Sequence, residues 1–238
     1  LDGGIYRGRS VHELALEPKA HSSVFSPDNR WLLVPATGPN KVFINRFDAK
    51  TGLATPNDPP FAHGPAGDNR ARQPRHLIFH PRGDIVYTTN EREQPGVGVW
   101  QWNARQGTLK PLQDIVTQPD DFTGTITTAD LHLTPDTRYL YLSNRDTTQR
   151  NAPNGRDSIV GFRVDPESGR LSMIGHTPCE RHPRSFTIDV SGKFLYVVGQ
   201  VDSRLGTYRI DQESGALSRI SQQAVGSRPI WIAAMELR

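Results

Sequence analysis

The fold of this chain is indicated by the segment Ser26-Pro27-Asp28-Asn29-Arg30-Trp31-Leu32-Leu33, which recurs three more times with substitutions. In each copy a polar turn leads into a run of branched and aromatic residues. The later copies are His80-Pro81-Arg82-Gly83-Asp84-Ile85-Val86-Tyr87, Thr134-Pro135-Asp136-Thr137-Arg138-Tyr139-Leu140-Tyr141 and Asp189-Val190-Ser191-Gly192-Lys193-Phe194-Leu195-Tyr196. The copies begin 54, 54 and 55 residues apart. A period of this order is typical of stacked supersecondary units.

Each repeat carries the signals of four strands in the same order. An apolar strand precedes the turn, and a second strand follows it. The third strands contain Val42-Phe43-Ile44, Val97-Gly98-Val99-Trp100, Ile159-Val160-Gly161-Phe162 and Leu205-Gly206-Thr207-Tyr208. A polar turn ending in Gly, as at Gly169 and Gly215, introduces a fourth strand. Four antiparallel strands per repeat form a propeller blade, so the predicted fold is an all-β propeller.

The second strands are apolar at consecutive positions, which indicates that both of their faces are buried. Neighbouring blades of a propeller bury a strand in this way. Helical spacing of apolar residues is absent from the sequence, which argues against a helical solenoid. A two-sheet sandwich with coincidentally similar turns is the remaining alternative.

The ends of the chain predict partial blades on either side of the four complete repeats. Residues 1–20 are interpreted as a turn and the outer strand of an earlier blade, and Pro229 to Glu236 as the inner strand of a further one. An arc of this kind would leave apolar blade faces in water. We therefore expect residues 1–238 to be a single propeller domain that lacks roughly the first two blades.

Composition narrows the classes of partner. Lys and Arg number 28 against 25 Asp and Glu, and they are scattered along the 238 residues, which argues against a nucleic-acid partner. No apolar stretch approaches the roughly eighteen residues that cross a bilayer, so no membrane role is expected. Cys179 is the only cysteine, which favours a reducing compartment, and a cytoplasmic location is expected.

The repeat register predicts where a site would form, because the first strand of each propeller blade lines the central channel. We call the position five residues before the start of each repeat the mouth position. It is occupied by His21, Arg75, Ala129 and Arg184. Eleven residues after each repeat begins stand Thr37, Glu91, Arg145 and Gln200. Both sets belong to the same end of the blades. Asp130 and His132 lie nearby in the third repeat, so a polar cluster is predicted at one channel mouth.

Several short motifs occur in a fixed order. They are His21-Ser22-Ser23, Gln73-Pro74-Arg75-His76, Thr89-Asn90-Glu91, Ala129-Asp130-Leu131-His132, Pro183-Arg184-Ser185-Phe186, Gly199-Gln200 and Pro229-Ile230-Trp231. The ordered set resembles the seven-bladed lactonase family, which contains bacterial 6-phosphogluconolactonase and the fungal carboxymuconate lactonizing enzyme. The resemblance implies hydrolysis of 6-phosphoglucono-1,5-lactone to 6-phosphogluconate in the pentose phosphate pathway, without a metal or organic cofactor. Its muconate-processing branch implies a catalytic group of His21, Arg75, Glu91 and Arg184.

Opening a lactone requires an activated water, stabilisation of the oxyanion and a proton for the departing alkoxide. Either Glu91 or His21 could handle protons, and a nearby Arg should keep Glu91 ionised against the opposing effect of burial. Arg75 and Arg184 suit an oxyanion, and Arg145 an anionic group of a small sugar-lactone substrate. Substrate binding is predicted for Asp130, His132, Arg145 and Gln200.

Two alternative functions are also consistent with the sequence. One is hydrolysis of a different lactone or cycloisomerisation of a muconate, which the same cluster could serve. The other is a non-catalytic propeller that acts as a binding platform. Among the remaining polar residues, His182 precedes the fourth repeat in a loop, where a solvated histidine is expected.

Overall fold

The computed structural model describes residues 13–65, 72–148 and 155–236 of the chain. Within these ranges the secondary structure is sixteen β-strands, without helices. The strands are β1 Val24–Phe25, β2 Trp31–Ala36, β3 Lys41–Asp48, β4 Leu53–His63, β5 Pro74–Phe79, β6 Ile85–Asn90, β7 Gly96–Asn103, β8 Thr108–Val116, β9 Ile126–Leu133, β10 Tyr139–Asp146, β11 Ser158–Val164, β12 Leu171–Pro178, β13 Pro183–Ile188, β14 Phe194–Gly199, β15 Arg204–Ile210 and β16 Leu217–Ala224.

The strands form four antiparallel sheets of four, each built from consecutive strands. Blade 1 contains β1 to β4, blade 2 β5 to β8, blade 3 β9 to β12 and blade 4 β13 to β16. The first strands of successive blades lie against one another, since β9 contacts both β5 and β13. The four predicted repeats are therefore four blades, and the all-β propeller architecture is confirmed. No helix long and apolar enough to span a membrane occurs among the described residues.

The turn between the first two strands has the same backbone conformation in every blade. Its fourth residue has a positive φ of 53° at Asn29, 84° at Gly83, 60° at Thr137 and 68° at Gly192. Glycine and asparagine adopt this left-handed conformation readily, whereas a β-branched residue such as Thr137 does so at a cost. The turn is thus a feature of the repeat that survives changes of residue.

The hydrophobic core consists of layers between blades. One layer packs Ile85 and Tyr87 of blade 2 against Leu140 and Phe162 of blade 3. Similar layers join blade 1 to blade 2 and blade 3 to blade 4. All of β6 and β10 is buried, as the consecutive apolar residues predicted. Burial of both faces in this way ties each blade to its neighbours.

Tyrosine hydroxyls add a polar link between blades. Tyr87 of blade 2 donates to the carbonyl oxygen of Gly169, in the β11–β12 turn of blade 3, at 2.8 Å. Tyr141 of blade 3 donates to that of Gly215, in the equivalent turn of blade 4, at 2.7 Å. The two tyrosines occupy the same repeat position. The predicted Gly turns therefore contact the preceding blade as well as starting the fourth strand.

The structure differs from the prediction of partial blades at the two ends of the chain. Residues 1–12 lie outside the described residues, and residues 13–20 form no strand, their only secondary structure being an isolated bridge from Ala20 to Ala36. The prediction of an inner strand from Pro229 to Glu236 is wrong, because this segment forms no strand and pairs with no backbone partner among the described residues. Instead, the amides of Ile232 and Ala234 donate to the Ser185 and Thr187 side chains of β13, each at 3.3 Å.

Candidate active site

The start of the first strand and the end of the second lie side by side in each blade, as the register predicted. A backbone amide just after the second strand donates to a carbonyl oxygen just before the first. The pairs are Thr37 to Lys19 at 3.1 Å, Glu91 to Gln73 at 2.9 Å and Gln200 to His182 at 3.2 Å, while in blade 3 Arg145 pairs with Thr127 in the ladder. The residues that the sequence selected therefore lie at one end of the blades.

A β-bulge occurs at the mouth position of blades 2, 3 and 4. The ladder register shifts between Pro74 and Leu77, between Thr128 and Leu131, and between Pro183 and Ser185. Arg75, Ala129 and Arg184 lie inside these shifts. A bulge leaves a residue outside the regular pairing and redirects its side chain. The inner strands are thus built to turn the mouth-position residue away from the regular alternation.

A hollow of about 390 Å³ opens at this end of the molecule. Its lining includes four of the predicted residues, His21, Glu91, Arg145 and Arg184. The others are Lys19, Ala20, Thr37, Gln73 and Arg92. Four cationic side chains therefore surround a single carboxylate, which makes the hollow suitable for an anion. We call it the cationic hollow.

Glu91 is held by two guanidinium groups through one of its oxygens. Arg145 Nη2 donates to Glu91 Oε1 at 2.7 Å, and Arg75 Nε lies 3.7 Å from the same atom. No described donor contacts Oε2. Burial alone would raise the Glu91 pKa, but Arg145, followed by Arg75 and His21, lowers it below the ordinary value of 4.5. Glu91 is therefore a fixed anion that offers one oxygen to the hollow.

His21 is a neutral imidazole with a defined tautomer. Its Nδ1 lies 2.8 Å from the carbonyl oxygen of Lys19, and since a carbonyl only accepts, Nδ1 must carry the proton. Nε2 then bears the lone pair. Burial lowers the His21 pKa, and so does the charge of Arg75, whereas the Lys19 hydrogen bond and Glu91 act in the opposite direction. The net shift is downward from 6.5, which keeps the ring neutral at pH 7.

Among the arginines of the predicted catalytic group, Arg184 is the one whose guanidinium has donors left for a bound molecule. It lies in β13 and lines the cationic hollow, yet it makes no hydrogen bond or ion pair within the described ranges. Arg145, in contrast, is already engaged with Glu91 and the carbonyl oxygen of Thr128. Arg184 can therefore direct its donors at a bound molecule.

Arg75 lies behind the hollow and does not line it. Its side chain is almost wholly buried, and Nη1 donates to the carbonyl oxygen of Ala129 at 2.7 Å. Burial, then the neighbouring Arg145, lowers its pKa to about 10, so it remains a cation at neutral pH. Arg75 therefore does not contact the hollow itself and influences it only through its contact with the Glu91 carboxylate.

Three predicted substrate-binding residues lie outside the cationic hollow. Asp130 is buried, and its carboxylate accepts hydrogen bonds from the backbone amides of Leu131 and Phe186. The His132 ring packs edge-on against that of Phe186. Gln200 is buried and follows directly after β14. Of the four residues predicted to bind substrate, Arg145 alone lines the hollow.

A second hollow of about 620 Å³ adjoins the first and shares Glu91, Arg92 and Arg145 with it. Three threonines, Thr125, Thr127 and Thr147, and His182 contribute to its lining. We call it the threonine hollow. The expectation that His182 is solvated is wrong, since this residue is 7% exposed and lies in the wall of a cavity.

One repeat position was missed in the sequence and could have been found there. It lies two residues before the mouth position and is occupied by Lys19, Gln73, Thr127 and His182. The first two line the cationic hollow and the last two the threonine hollow. Their common register was the available signal. His76, next to Arg75, shares a repeat position with Asp130 and was missed in the same way.

The described residues contain no group of three or more His, Cys, Asp or Glu side chains arranged to hold a metal ion. A neutral imidazole, an ionised carboxylate and a guanidinium with open donors surround a space large enough for a small organic anion. This combination suits acyl transfer to water.

The four-stranded blades and the polar residues at the channel mouth agree with a comparison against known protein families. The chain belongs to the lactonase family of seven-bladed β-propellers, whose family model matches residues 5–234.

The chain is similar to the 6-phosphogluconolactonases of several Yersinia strains. It is 36% identical over 224 residues to that of Yersinia pestis strain Pestoides F, covering 94% of this chain and 62% of the relative. The Yersinia enterocolitica protein is 34% identical over 229 residues, with 96% and 64% covered. The chain thus spans less than two thirds of the length of these relatives.

The chain also superposes well on solved structures. The periplasmic gluconolactonase of Pseudomonas aeruginosa superposes with a TM-score of 0.77 at 32% identity, covering 87% of this chain and 55% of that one. A protein from Lactobacillus plantarum superposes with a TM-score of 0.77 at 25% identity, covering 89% and 57%.

Proposed function

We propose that this protein hydrolyses 6-phospho-D-glucono-1,5-lactone to 6-phosphogluconate. The observation that carries the proposal is the convergence of His21, Glu91 and Arg184 on one cationic hollow. The names of the Yersinia relatives support the substrate class. A phosphorylated lactone is an anion, and four cationic side chains line the hollow.

In the proposed reaction His21 is the general base. Its Nε2 takes a proton from a water molecule while the water oxygen bonds to the lactone carbonyl carbon. The carbonyl oxygen becomes an oxyanion, which Arg184 stabilises with its open donors. The bond from the carbonyl carbon to the ring oxygen then breaks, and the protonated His21 returns the proton to that oxygen. The products are a carboxylic acid, which ionises, and a hydroxyl group.

Glu91 is assigned a supporting part. Its pKa is lowered by two guanidinium groups, so its carboxylate is a weak base at neutral pH. The negative charge of Glu91 favours the protonated form of His21. Stabilising the imidazolium that forms during the reaction is the task of a carboxylate in a catalytic triad. Between the two candidates for the base, these observations favour His21.

The threonine hollow is assigned to the hydroxyl groups of the sugar. It adjoins the cationic hollow, and the buried hydroxyl of Thr127 has no hydrogen-bond partner among the described residues. Hydroxyl side chains both donate and accept, as a polyol requires. The substrate would therefore lie across both hollows, with its reacting carbonyl near His21 and Arg184.

The test measures acid release from 6-phosphoglucono-1,5-lactone in a pH-stat, corrected for spontaneous hydrolysis in buffer. Wild-type protein should accelerate the reaction, and His21→Gln should lower kcat by roughly 10² to 10⁴ fold. The matched control is His63→Gln, which changes an exposed histidine outside both hollows and should leave the rate unchanged. Wild-type protein that releases acid no faster than buffer would refute the proposal in favour of a binding platform.

The unphosphorylated lactone is the second candidate substrate, because the Pseudomonas aeruginosa neighbour is named a gluconolactonase. The two substrates differ in charge. If the phosphate binds the cationic hollow, KM for the phosphorylated lactone should rise as salt is raised from about 0.05 to 0.5 M, since salt screens charges. KM for the unphosphorylated lactone should change little. Use of a sugar phosphate would also favour the cytoplasm, because a phosphate ester does not cross a bilayer unaided.

A further inference from the structure

A series of polar contacts, buried except for the partly exposed ring of His76, leads from blade 3 to the site. His76 Nδ1 lies 2.8 Å from Asp130 Oδ1, and His76 Nε2 lies 2.8 Å from Arg75 Nη1. Arg75 Nε in turn faces Glu91 Oε1 at 3.7 Å. The series therefore runs from Asp130 through His76 and Arg75 to the carboxylate that lines the cationic hollow.

The partners of His76 determine its tautomer. A guanidinium can only donate, so His76 Nε2 must accept from Arg75. Nδ1 then carries the ring proton and donates it to the Asp130 carboxylate. Only a neutral imidazole makes both contacts, since a protonated ring would present a second donor to the guanidinium.

Asp130 is a fixed end point for this series. Besides His76, its carboxylate accepts from the amides of Leu131 and Phe186, and His132 Nε2 lies 3.4 Å from Oδ2. Burial would raise the Asp130 pKa, but the hydrogen bonds of His132 and His76 hold it well below the usual range. The carboxylate therefore stays ionised and oriented while the other members depend on it.

We propose that His76 is a positioning residue for the lactonase reaction, which holds the Arg75 guanidinium in place so that Glu91 is held in turn. The inference rests on the proposed lactonase function. His76 lies outside both hollows, so it acts through Arg75 and not on the substrate. The carbonyl oxygen of Ala129 fixes one N–H of Nη1, and His76 fixes the other.

The arrangement makes the site sensitive to acid. The charged and titratable groups around the His76 ring are Arg75 on its own strand, Asp130 and His132 on β9, and His21 before β1. Burial lowers the pKa of His76, Arg75 and His132 lower it further, and Asp130 raises it. The net shift is downward from 6.5, so the ring becomes a cation only at acid pH and then repels Arg75.

The kinetic test compares His76→Gln with His76→Leu. A glutamine amide can donate to Asp130 through its nitrogen and accept from Arg75 through its oxygen, so kcat should stay within about threefold of wild type. Leucine can do neither, so kcat should fall roughly 10 to 100 fold, with KM changed much less. In wild type the acid limb of the kcat profile should include the titration of His76, and His76→Gln should lose that component. Equal kcat in both variants would overturn the proposal.

A second measurement does not depend on activity. In ¹⁵N-histidine NMR of the wild-type protein, His76 should be neutral at pH 7 with its proton on Nδ1, and Arg75→Gln should shift its Nε2 resonance. A proton on Nε2 would overturn the proposal even if the lactonase is active. Absence of lactonase activity together with the expected tautomer and shift would refute the proposed function while leaving the contact that defines the positioning role in place.

Discussion

At the scale of single residues, the site depends on buried charges that neutralise one another. Glu91 accepts its contacts from Arg75 and Arg145 on the same oxygen, at 3.7 and 2.7 Å. Removing the carboxylate would leave two buried cations without a counter-ion, a change that costs roughly 3 kcal/mol. Stability and the chemistry of the hollow are thus coupled at this residue.

Glu91→Gln should alter the dependence of stability on acid. The folded-state pKa of Glu91 lies below the unfolded value of 4.5, so ionised Glu91 stabilises the fold above that pH. This contribution is lost as the pH falls through the folded pKa. We expect the free energy of unfolding in urea to fall more steeply below about pH 4.5 in wild type than in Glu91→Gln. Glu93→Gln, at an exposed neighbour, should follow wild type, and parallel curves for all three would contradict this assignment.

Thr137 offers a test of the repeated turn. It has a φ of 60°, whereas Gly192 occupies the same repeat position with a φ of 68°. We expect Thr137→Gly to stabilise the protein by about 0.5 to 1 kcal/mol in thermal or urea unfolding, because glycine adopts this conformation without steric cost. The reciprocal substitution, Gly192→Thr, should destabilise it by a similar or larger amount. Two changes of the same sign would argue against a conformational origin.

At the scale of elements, the tyrosine links tie the second strand of one blade to a turn of the next. Tyr87→Phe and Tyr141→Phe should each lower the free energy of unfolding by about 1 kcal/mol, since each removes one buried hydrogen bond. Tyr196 occupies the same repeat position, but its hydroxyl has no hydrogen bond within the described ranges. Tyr196→Phe is therefore the matched control and should change stability by less than about 0.5 kcal/mol. Equal losses in all three variants would show that the link itself contributes little.

The strands and the shared end of the blades could be predicted because the repeat is regular. Consecutive apolar residues indicated β6 and β10, and the register brought His21, Glu91 and Arg184 together. The directions of individual side chains could not be predicted in the same way. A bulge interrupts the two-residue alternation between Pro74 and Leu77, so the pattern does not indicate that Arg75 turns behind Glu91.

Contacts between residues far apart in the chain could not be predicted from the sequence either. The segment from Pro229 to Glu236 has the composition of a strand, yet a strand forms only where a backbone partner lies beside it. Here the nearest partners are side chains of β13. His182 does lie in a loop, but it was expected to be solvated because burial of a loop residue by other parts of the chain leaves no local signal. Contacts between blades therefore had to be seen in the structure.

At the scale of the whole molecule, burial falls from the middle of each blade to its outer strand. Every residue of β10 is buried, whereas seven of the eight residues of β16 are exposed. We expect amide hydrogen exchange, followed by mass spectrometry, to be slowest in β6 and β10 and fastest among the strands in β16. The reason is that β6 and β10 open only when two interblade core layers are lost. Equal protection of β10 and β16 would mean that the blades open as a single unit.

The bulge at the mouth position has a consequence for how such proteins diversify. A residue that stands outside the ladder can be exchanged without disturbing strand pairing, and this position already holds Arg75, Ala129 and Arg184 in successive blades. Substitutions at this position can therefore change which molecules the channel mouth binds, while the pairing of the strands stays the same.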